Sequence, residues 1–369
     1  MKLKIGFIGT GSIALLHLLS LKKIKEENLL EKYGTDFEIK SVADINESTL
    51  NNLKKKNPYD IKYFTPDPNE IINDKDINIV YITTPTRFHE EYYIKCAEAG
   101  KNIFCEKPLA FTLKEIKNMI STEKKQGILT QVGLVLRHCP IFWKMKQILM
   151  TNKEALGENL SFMFRDTQEW PIGTKVHPSE WRKDPSLAHA GCLYEHSIHD
   201  VDIIEYLFGQ DSKLSQLFAK VRHVSPITEN RLEDVANVKL EYNNGLVGDL
   251  ISIWNKARID ERLIEIFTEN GYIVLDGYSV MFFKKFEYLI KRKRIRLDFN
   301  QVVNEYLKEK GLHSFNTGTG AYLFENLNFL ESIIKEEKPY PGLEIGYRAH
   351  EIIELAYKSS KENQIIALD

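Results

Sequence analysis

The 369-residue chain has only four cysteines, and Cys96, Cys105, Cys139 and Cys192 are scattered without forming a CxxC pair. That scatter argues against a zinc cluster and a disulfide framework, so reduced and mostly packed thiols are expected. An excess of either charge is missing too: 50 Lys and Arg against 52 Asp and Glu leave a formal net charge of −2. Nothing in that balance pulls the protein towards nucleic acid or an anionic membrane, which makes a small molecule the default partner. No uninterrupted apolar span is long enough to cross a bilayer. The N-terminus runs straight into a strand-like stretch without an apolar signal core or small-residue cleavage site, so a cytoplasmic protein is expected. Internal repeats and low-complexity linkers are also lacking.

What is present is alternation. From residue 3 to about 135, β-branched runs at 3–8, 38–43, 79–83, 102–104 and 129–134 alternate with helical stretches beginning near Ser12, Ser48, Asn69, His89 and Leu113. This is the rhythm of a doubly wound parallel sheet with crossover helices. Thr112 with Glu115 three residues later reads as a capping box for the last of those helices. After residue 140 the pattern changes to a helix near 141–150, another near 193–208, and long strand-like runs punctuated by Asn243-Asn244-Gly245 and Glu269-Asn270-Gly271. The chain is long enough for two cores. The expected organisation is an α/β Rossmann domain over 1–135 and an α+β domain with a mostly antiparallel sheet over 136–369, the second carrying substrate binding and oligomerisation.

Gly9-Thr10-Gly11-Ser12-Ile13-Ala14 stands between the first strand and an apolar helix carrying Leu15, Leu16, Leu18 and Leu19. In that context GxGxxA is a dinucleotide turn. The first glycine permits the bend, the second lets the backbone approach the pyrophosphate, and the small alanine lets helix and strand pack closely while the helix N-terminus faces the phosphates. The second strand ends in Asp44, further along than the usual interval, where a carboxylate can accept bonds from ribose hydroxyls and repel a 2′-phosphate. NAD is therefore expected over NADP. Thr84-Pro85 and Glu106-Lys107-Pro108 follow two further strands, at the ends where ligands bind in such sheets. By position Lys107 reads equally as a site residue and as a solvated surface charge.

Taken together, these segments resemble the Gfo/Idh/MocA family of nicotinamide-dependent oxidoreductases (glucose–fructose oxidoreductase, inositol dehydrogenase and their relatives). The likeness rests on Gly9 to Ala14, Asp44, Thr84-Pro85 with His89, Glu106-Lys107-Pro108, Gly133 with Arg137 and Pro140, the segment from Glu195 to Asp202, and Gly346-Tyr347-Arg348-Ala349. It implies NAD held by Gly9, Thr10, Gly11, Ser12, Ile13, Asp44, Thr84, Pro85, His89, Glu106 and Lys107. It further implies that Lys107 lies beside substrate and nicotinamide, with unusual peptide geometry at Pro108, and that the protein is a homo-oligomer, a dimer or tetramer. Glu195-His196-Ser197-Ile198-His199-Asp200-Val201-Asp202 resembles the family's active-site helix, which has Asp where this chain has Glu195. Residues four apart share a helical face, so Glu195 is expected beside His199 and able to orient it as a general base. Thr86 stands where the family often has Asn, a second departure.

The activity this implies is reversible NAD-dependent oxidation of a secondary hydroxyl on a sugar, cyclitol or sugar derivative, with Lys107, His199 and Glu195 catalytic. Arg137, Trp181, Arg182, Glu195 and His199 are the candidate substrate contacts. Arg137 reads equally as a structural tether, and Arg182 as an ordinary surface residue. Two further activities fit the same residues: a glycosidase that oxidises its substrate transiently, and a cofactor-sensing protein without turnover. A metal site built from His196, His199 and nearby acids is disfavoured, because the two histidines are three apart, no further ligand cluster is evident and hydride transfer needs no metal. The basic run Lys291-Arg292-Lys293-Arg294-Ile295-Arg296 reads as protection of a sheet edge.

Overall fold

Strand β1 (Leu3–Ile8) is apolar and almost wholly buried, as expected of a parallel strand covered by helices on both faces. The computed structural model describes residues 3–368 apart from 173–179, 185, 211, 226–231, 258–259, 279–281 and 314–319. The chain divides into two compact units, Met1–Val135 with Thr317–Tyr347 and Leu136–Asn316 with Arg348–Asp369.

In the first unit β1 is followed by α1 (Ser12–Glu26), β2 (Phe37–Ala43), α2 (Glu47–Lys56), β3 (Tyr63–Thr65), α3 (Pro68–Asn73), β4 (Ile79–Ile82), α4 (His89–Glu98), β5 (Asn102–Cys105), α5 (Leu113–Gln126) and β6 (Thr130–Val132). The strands form one parallel sheet in the order β3-β2-β1-β4-β5-β6. Chain direction across the sheet reverses between β1 and β4, which opens the ligand crevice at their carboxyl ends. The short edge strand β3 is not legible in the sequence: three residues with an exposed Tyr63 carry no periodic signal. Thr112 and Glu115 form the expected reciprocal cap on α5.

Two further features differ from the sequence reading. Of Leu15, Leu16, Leu18 and Leu19 only Leu18 is buried, because Ala14, His17, Leu18 and Leu21 share the core face while Leu15, Leu16 and Leu19 are 38 to 44 % exposed. The second is the division of the chain, which places 317–347 with the Rossmann unit, whereas a cut at 135/136 assigns it to the second domain. Packing accounts for this. Phe7, Tyr81 and Phe104 stack across β1, β4 and β5 with ring centroids 4.5 and 4.9 Å apart. Phe329, from a later helix Ala321–Lys335 of the same unit, meets Tyr81 and Phe104 edge-on.

The second unit contains α6 (Pro140–Thr151), α7 (Lys153–Leu156), β7 (Asn159–Glu169), α8 (Ile198–Phe208), β8 (Leu214–Arg222), β9 (Val235–Tyr242), β10 (Val247–Asn255), β11 (Glu261–Thr268), β12 (Gly271–Tyr278), β13 (Phe283–Ile290), β14 (Lys293–Arg296) and α9 (Phe299–Glu309). Helix α10 is the Ala321–Lys335 segment just described, and α11 (Leu343–Glu362) and β15 (Ile366–Ala367) follow it. The nine strands run β14-β13-β12-β11-β7-β10-β9-β8-β15, with β7 and β10 parallel and the other pairs antiparallel. Alternating burial along β7 and β9 leaves one face for helices. Phe208 of α8 stacks on Phe162 of β7 at 4.9 Å, fixing α8 against that face. The basic run forms a turn and the edge strand β14, and Lys285, Arg294 and Arg296 converge on Glu287. That is the edge arrangement expected of it.

Candidate active site

In the first unit the site begins at the turn from β1 to α1. Gly9 has φ +94°, and a Cβ there would lie 2.7 Å from the Thr83 carbonyl oxygen, so both conformation and space demand glycine. At Gly11, the N-cap of α1, a Cβ would meet nothing within 4 Å, and no side chain caps the helix. Ser12 beside it is exposed and Ile13 half-buried. The leading amides of a 15-residue helix thus face open space, the arrangement that receives a pyrophosphate. Asp44 is half-buried at the end of β2. Its Oδ2 accepts from the Thr10 amide (2.8 Å) and hydroxyl (2.7 Å), and its Oδ1 from the Asn46 amide (2.8 Å). The carboxylate therefore braces the glycine turn as well as standing where a ribose would lie. The Thr84 hydroxyl after β4 is buried and has no hydrogen-bond partner among the described residues. Open helix amides, an acid at the end of β2 and a buried orphan hydroxyl fit a dinucleotide held by Gly9, Thr10, Gly11, Ser12, Ile13, Asp44, Thr84 and Pro85.

Asp44→Ala removes three anchoring bonds and the negative charge together. It is expected to weaken NADH at least about tenfold, since bonds to a charged group contribute about 1.5–3 kcal/mol each, and to narrow the preference over NADPH. Fluorescence titration with both reduced cofactors measures this; an unchanged NADH affinity would remove Asp44 from the cofactor site.

Of the remaining cofactor candidates, His89 and Glu106 turn their polar atoms to the protein itself. His89 is 1 % exposed, and both its ring nitrogens meet carbonyls, Nδ1 that of Pro108 at 2.7 Å and Nε2 that of Thr84 at 2.8 Å. It ties the loops after β4 and β5 together instead of presenting a nitrogen to a ligand. Burial lowers its pKa, although the two carbonyls favour the protonated ring. Glu106 is buried with its carboxylate turned inward, Oε1 at 2.8 Å from His17 Nε2 and Oε2 accepting the Lys107 amide at 3.1 Å. Lys107 itself is half-buried, and its bond to Pro108 is cis.

Beneath this loop lies a polar cluster that the sequence reading missed: His17 of α1 with Glu325 and Asn326 of α10, all fully buried. Its one signal is polar residues on the core faces of apolar helices, legible only once those faces are known. Both Glu325 carboxyl oxygens lack a hydrogen-bond partner among the described residues. Burial and repulsion from Glu106 hold the Glu325 carboxyl well above its ordinary 4.5. A carboxyl whose folded pKa is raised contributes stability fully present below its unfolded pKa and lost as pH rises towards the folded one. Glu325→Gln is accordingly expected to raise the melting temperature at pH 8, by a few degrees for about 1–2 kcal/mol, and to lose that advantage towards pH 4.5. A calorimetric pH series checks it, and a gain equal at both ends would contradict a buried neutral acid.

In the second unit the expected single helix around Glu195 and His199 is two pieces. A π-type turn, Cys192–His196, ends at Ser197, and α8 starts at Ile198. Glu233 fixes the start of the turn by accepting from the Gly191 amide (2.6 Å), the Leu193 amide (3.2 Å) and the Tyr357 hydroxyl (2.7 Å). Because the helix is broken, four-residue spacing no longer dictates that Glu195 and His199 share a face. Instead Glu195 Oε2 lies 3.4 Å from Arg182 Nε, and the Arg182 guanidinium stacks over Trp181 at 4.3 Å. Glu195 and His199 are both buried, at 2 % and 7 % exposure.

Arg137 fits the tether reading. Its Nε donates to both Asp202 carboxylate oxygens at 2.9 Å, and its Nη2 lies 2.8 Å from Oδ1. His196 lies 2.9 Å from Asp166, and Arg262 joins Asp166 (3.3 Å) to Asp200 (2.7 Å). His196 and Asp200 thus belong to a buried ion network around the break that sequence spacing did not reveal, because Asp166 and Arg262 come from β7 and β11.

Comparison with known proteins identifies the family and the fold. The model of the Gfo/Idh/MocA oxidoreductase family, NAD-binding Rossmann fold, matches residues 3–134, and that of the family's C-terminal alpha/beta domain matches 162–368. The chain is 27 % identical to myo-inositol 2-dehydrogenase of Thermotoga maritima over 74 % of this chain and 75 % of that one. It is 28 % identical to levoglucosan dehydrogenase of Pseudarthrobacter phenanthrenivorans over 79 % and 72 % of the two chains. A solved structure of levoglucosan dehydrogenase with NADH and levoglucosan shares the fold, with a TM-score of 0.84 at 23 % identity, covering 100 % of this chain and 99 % of that one. With both family domains matched in order and a glycine turn, acid and open helix end of the required form, the chain belongs to the Gfo/Idh/MocA family of NAD-binding oxidoreductases.

Proposed function

We propose that this enzyme oxidises, reversibly and with NAD, a secondary hydroxyl of a sugar, cyclitol or sugar derivative. The observation that carries the reading is the placement of Lys107 at the carboxyl end of β5, in the same sheet whose β1 and β2 present the dinucleotide turn and Asp44. The names of the relatives, an inositol dehydrogenase and a levoglucosan dehydrogenase, support the substrate class.

Bound NAD supplies the hydride acceptor, so the carbinol C–H electron pair leaves with its hydrogen and a C=O bond replaces C–OH. The Lys107 ammonium donates to the hydroxyl oxygen and stabilises the negative charge that develops there. The His199 imidazole takes the hydroxyl proton. Glu195, buried in the turn that ends just before α8, supplies the negative charge that favours the protonated imidazole that results. Trp181 and the paired Arg182 are the candidates for contacting further substrate hydroxyls. The same reading carries a cytoplasmic homo-oligomer, dimer or tetramer, that acts on a small molecule. No helix among the described residues is long and apolar enough to cross a membrane. Light scattering after size exclusion tests the assembly.

The decisive test mixes protein and NAD with myo-inositol, scyllo-inositol, levoglucosan, free sugars and aryl glycosides, following NADH absorbance and aglycone release in the same wells. NADH growth with a cyclitol or sugar supports the dehydrogenase. Aglycone release without net NADH would replace it with redox-assisted glycoside cleavage, and tight NAD binding with silence across the panel would favour a sensor.

A further inference from the structure

Glu106 is held at both its main chain and its carboxylate. Its backbone amide bonds to Ile82 O at 3.0 Å, holding the residue in line with β5, while its carboxylate is buried among protein partners. Oε1 accepts a hydrogen bond from His17 Nε2 at 2.8 Å, and Oε2 one from the Lys107 amide at 3.1 Å. The His17 ring is held from behind as well. A carboxylate only accepts, so Nε2 carries the hydrogen, and Asn326 closes the other side of the ring with Nδ2 at 3.0 Å and Oδ1 at 3.2 Å from His17 Nδ1, its Nδ2 donating also to Tyr322 O at 2.7 Å. Phe104 and Tyr322 meet the imidazole edge-on at 4.7 and 5.7 Å and keep it from turning. Space is matched as closely: a Cβ on Gly133 would sit 2.8 Å from the Glu106 carboxylate.

We propose that His17, set by Asn326, is a positioning residue for the reaction: through Glu106 it fixes the Lys107 main chain, and with it the root from which the lysine ammonium reaches the substrate. The inference rests on the reading of Lys107 given above. Its physical basis is that a flexible four-carbon side chain aims no better than its backbone, and a misplacement of about 1 Å near the reacting atoms can lower a rate about a hundredfold. A backbone amide gripped by a buried carboxylate, itself gripped by a ring that cannot rotate, removes that freedom. The residues named in this bracket all belong to the first unit, to which α10 brings Asn326 because 317–347 is part of it.

The test compares His17→Leu with His17→Gln, using myo-inositol or levoglucosan, whichever yields NADH. Leucine fills the space without a donor, whereas the glutamine amide can place N–H near the position of Nε2. His17→Leu is expected to lower kcat at least about tenfold with NADH affinity held within about twofold, and His17→Gln to recover most of that loss. In a Lys107→Ala background, followed by single-turnover NADH formation, His17→Leu is expected to add less than about a twofold loss, since both act through one group. Wild-type kcat in His17→Leu, equal loss in the two His17 variants, or full additivity with Lys107→Ala would each overturn the proposal. Should His17→Leu not fold, Asn326→Leu removes only the rear support and is expected to give a smaller loss in kcat alone; an unchanged kcat there would overturn it equally. Normal turnover by Lys107→Ala would remove the Lys107 reading itself, whereas an inactive Lys107→Ala beside a fully active His17→Leu would remove only the His17 proposal.

Discussion

Lys107→Ala is expected to lower kcat about 10²–10⁴-fold while leaving NADH affinity within a few-fold, and His199→Ala to do the same. The two losses have different causes. Without Lys107 no cation meets the oxygen as it becomes negative, a deficit present at every pH where the lysine is charged. Without His199 the hydroxyl proton has no acceptor of suitable strength, so the decline of the wild-type rate towards acid pH, where the base is already protonated, should flatten in the variant. The cofactor turn, Asp44 and Thr84 are untouched by either change, which is why binding should survive. Stopped-flow NADH formation beside fluorescence titration separates the two quantities. Full turnover in either variant with NADH still bound would end that residue's assignment.

Arg262→Leu is expected to produce the largest loss of stability. Arg262 is 2 % exposed and pairs with both Asp166 and Asp200, themselves buried. Removing one member of a buried ionic cluster leaves uncompensated charge, at a cost of about 3–5 kcal/mol, which for a unit of this size is about 6–20 °C in the melting transition. The two acids differ in the intact network. Burial acts to raise Asp166, but His196 and Arg262 outweigh it and hold its carboxyl well below the usual range. Asp200 stays above its ordinary value, because burial and repulsion from Asp166 exceed the help from Arg262. A raised folded pKa means stability that is present below the unfolded pKa and lost as pH rises, so the deficit of Arg262→Leu should be greatest at neutral and alkaline pH. It should shrink towards pH 4 as Asp200 takes up a proton. Calorimetry at pH 8 and pH 4.5 measures it, and a shift under about 2 °C at pH 8 would show that the network contributes little.

Local signals in the sequence were read well where one residue type had one physical use. Gly9 is required by a positive φ and a close carbonyl, and a sequence can announce that without tertiary help. Asp44 was recognisable at the end of its strand although α1 and a short turn at Glu31–Tyr33 lengthen the usual interval. The Glu195 to His199 segment is one helix by its spacing and two pieces in the fold, because spacing assumes an unbroken helix and the contacts of Glu233, Asp166 and Arg262 around the break come from distant strands. His89 and Glu106 sit in motifs that look ligand-facing, yet their polar atoms point inward, a matter of rotamer and neighbours that no motif records.

The sequence by itself therefore determined the alternating β/α order, the glycine turn, the acid of the second strand and the family to which the motifs belong, because each depends on residues adjacent in the chain or on a fixed period. Tertiary structure alone decided that 317–347 completes the Rossmann unit, that His17 and Asn326 stand behind Glu106, and that Asp166 and Arg262 enclose Asp200. Those contacts join residues as many as 309 positions apart. Their free energy comes from burying polar groups only where partners meet them, and which partners meet is set by how the helices and sheets pack.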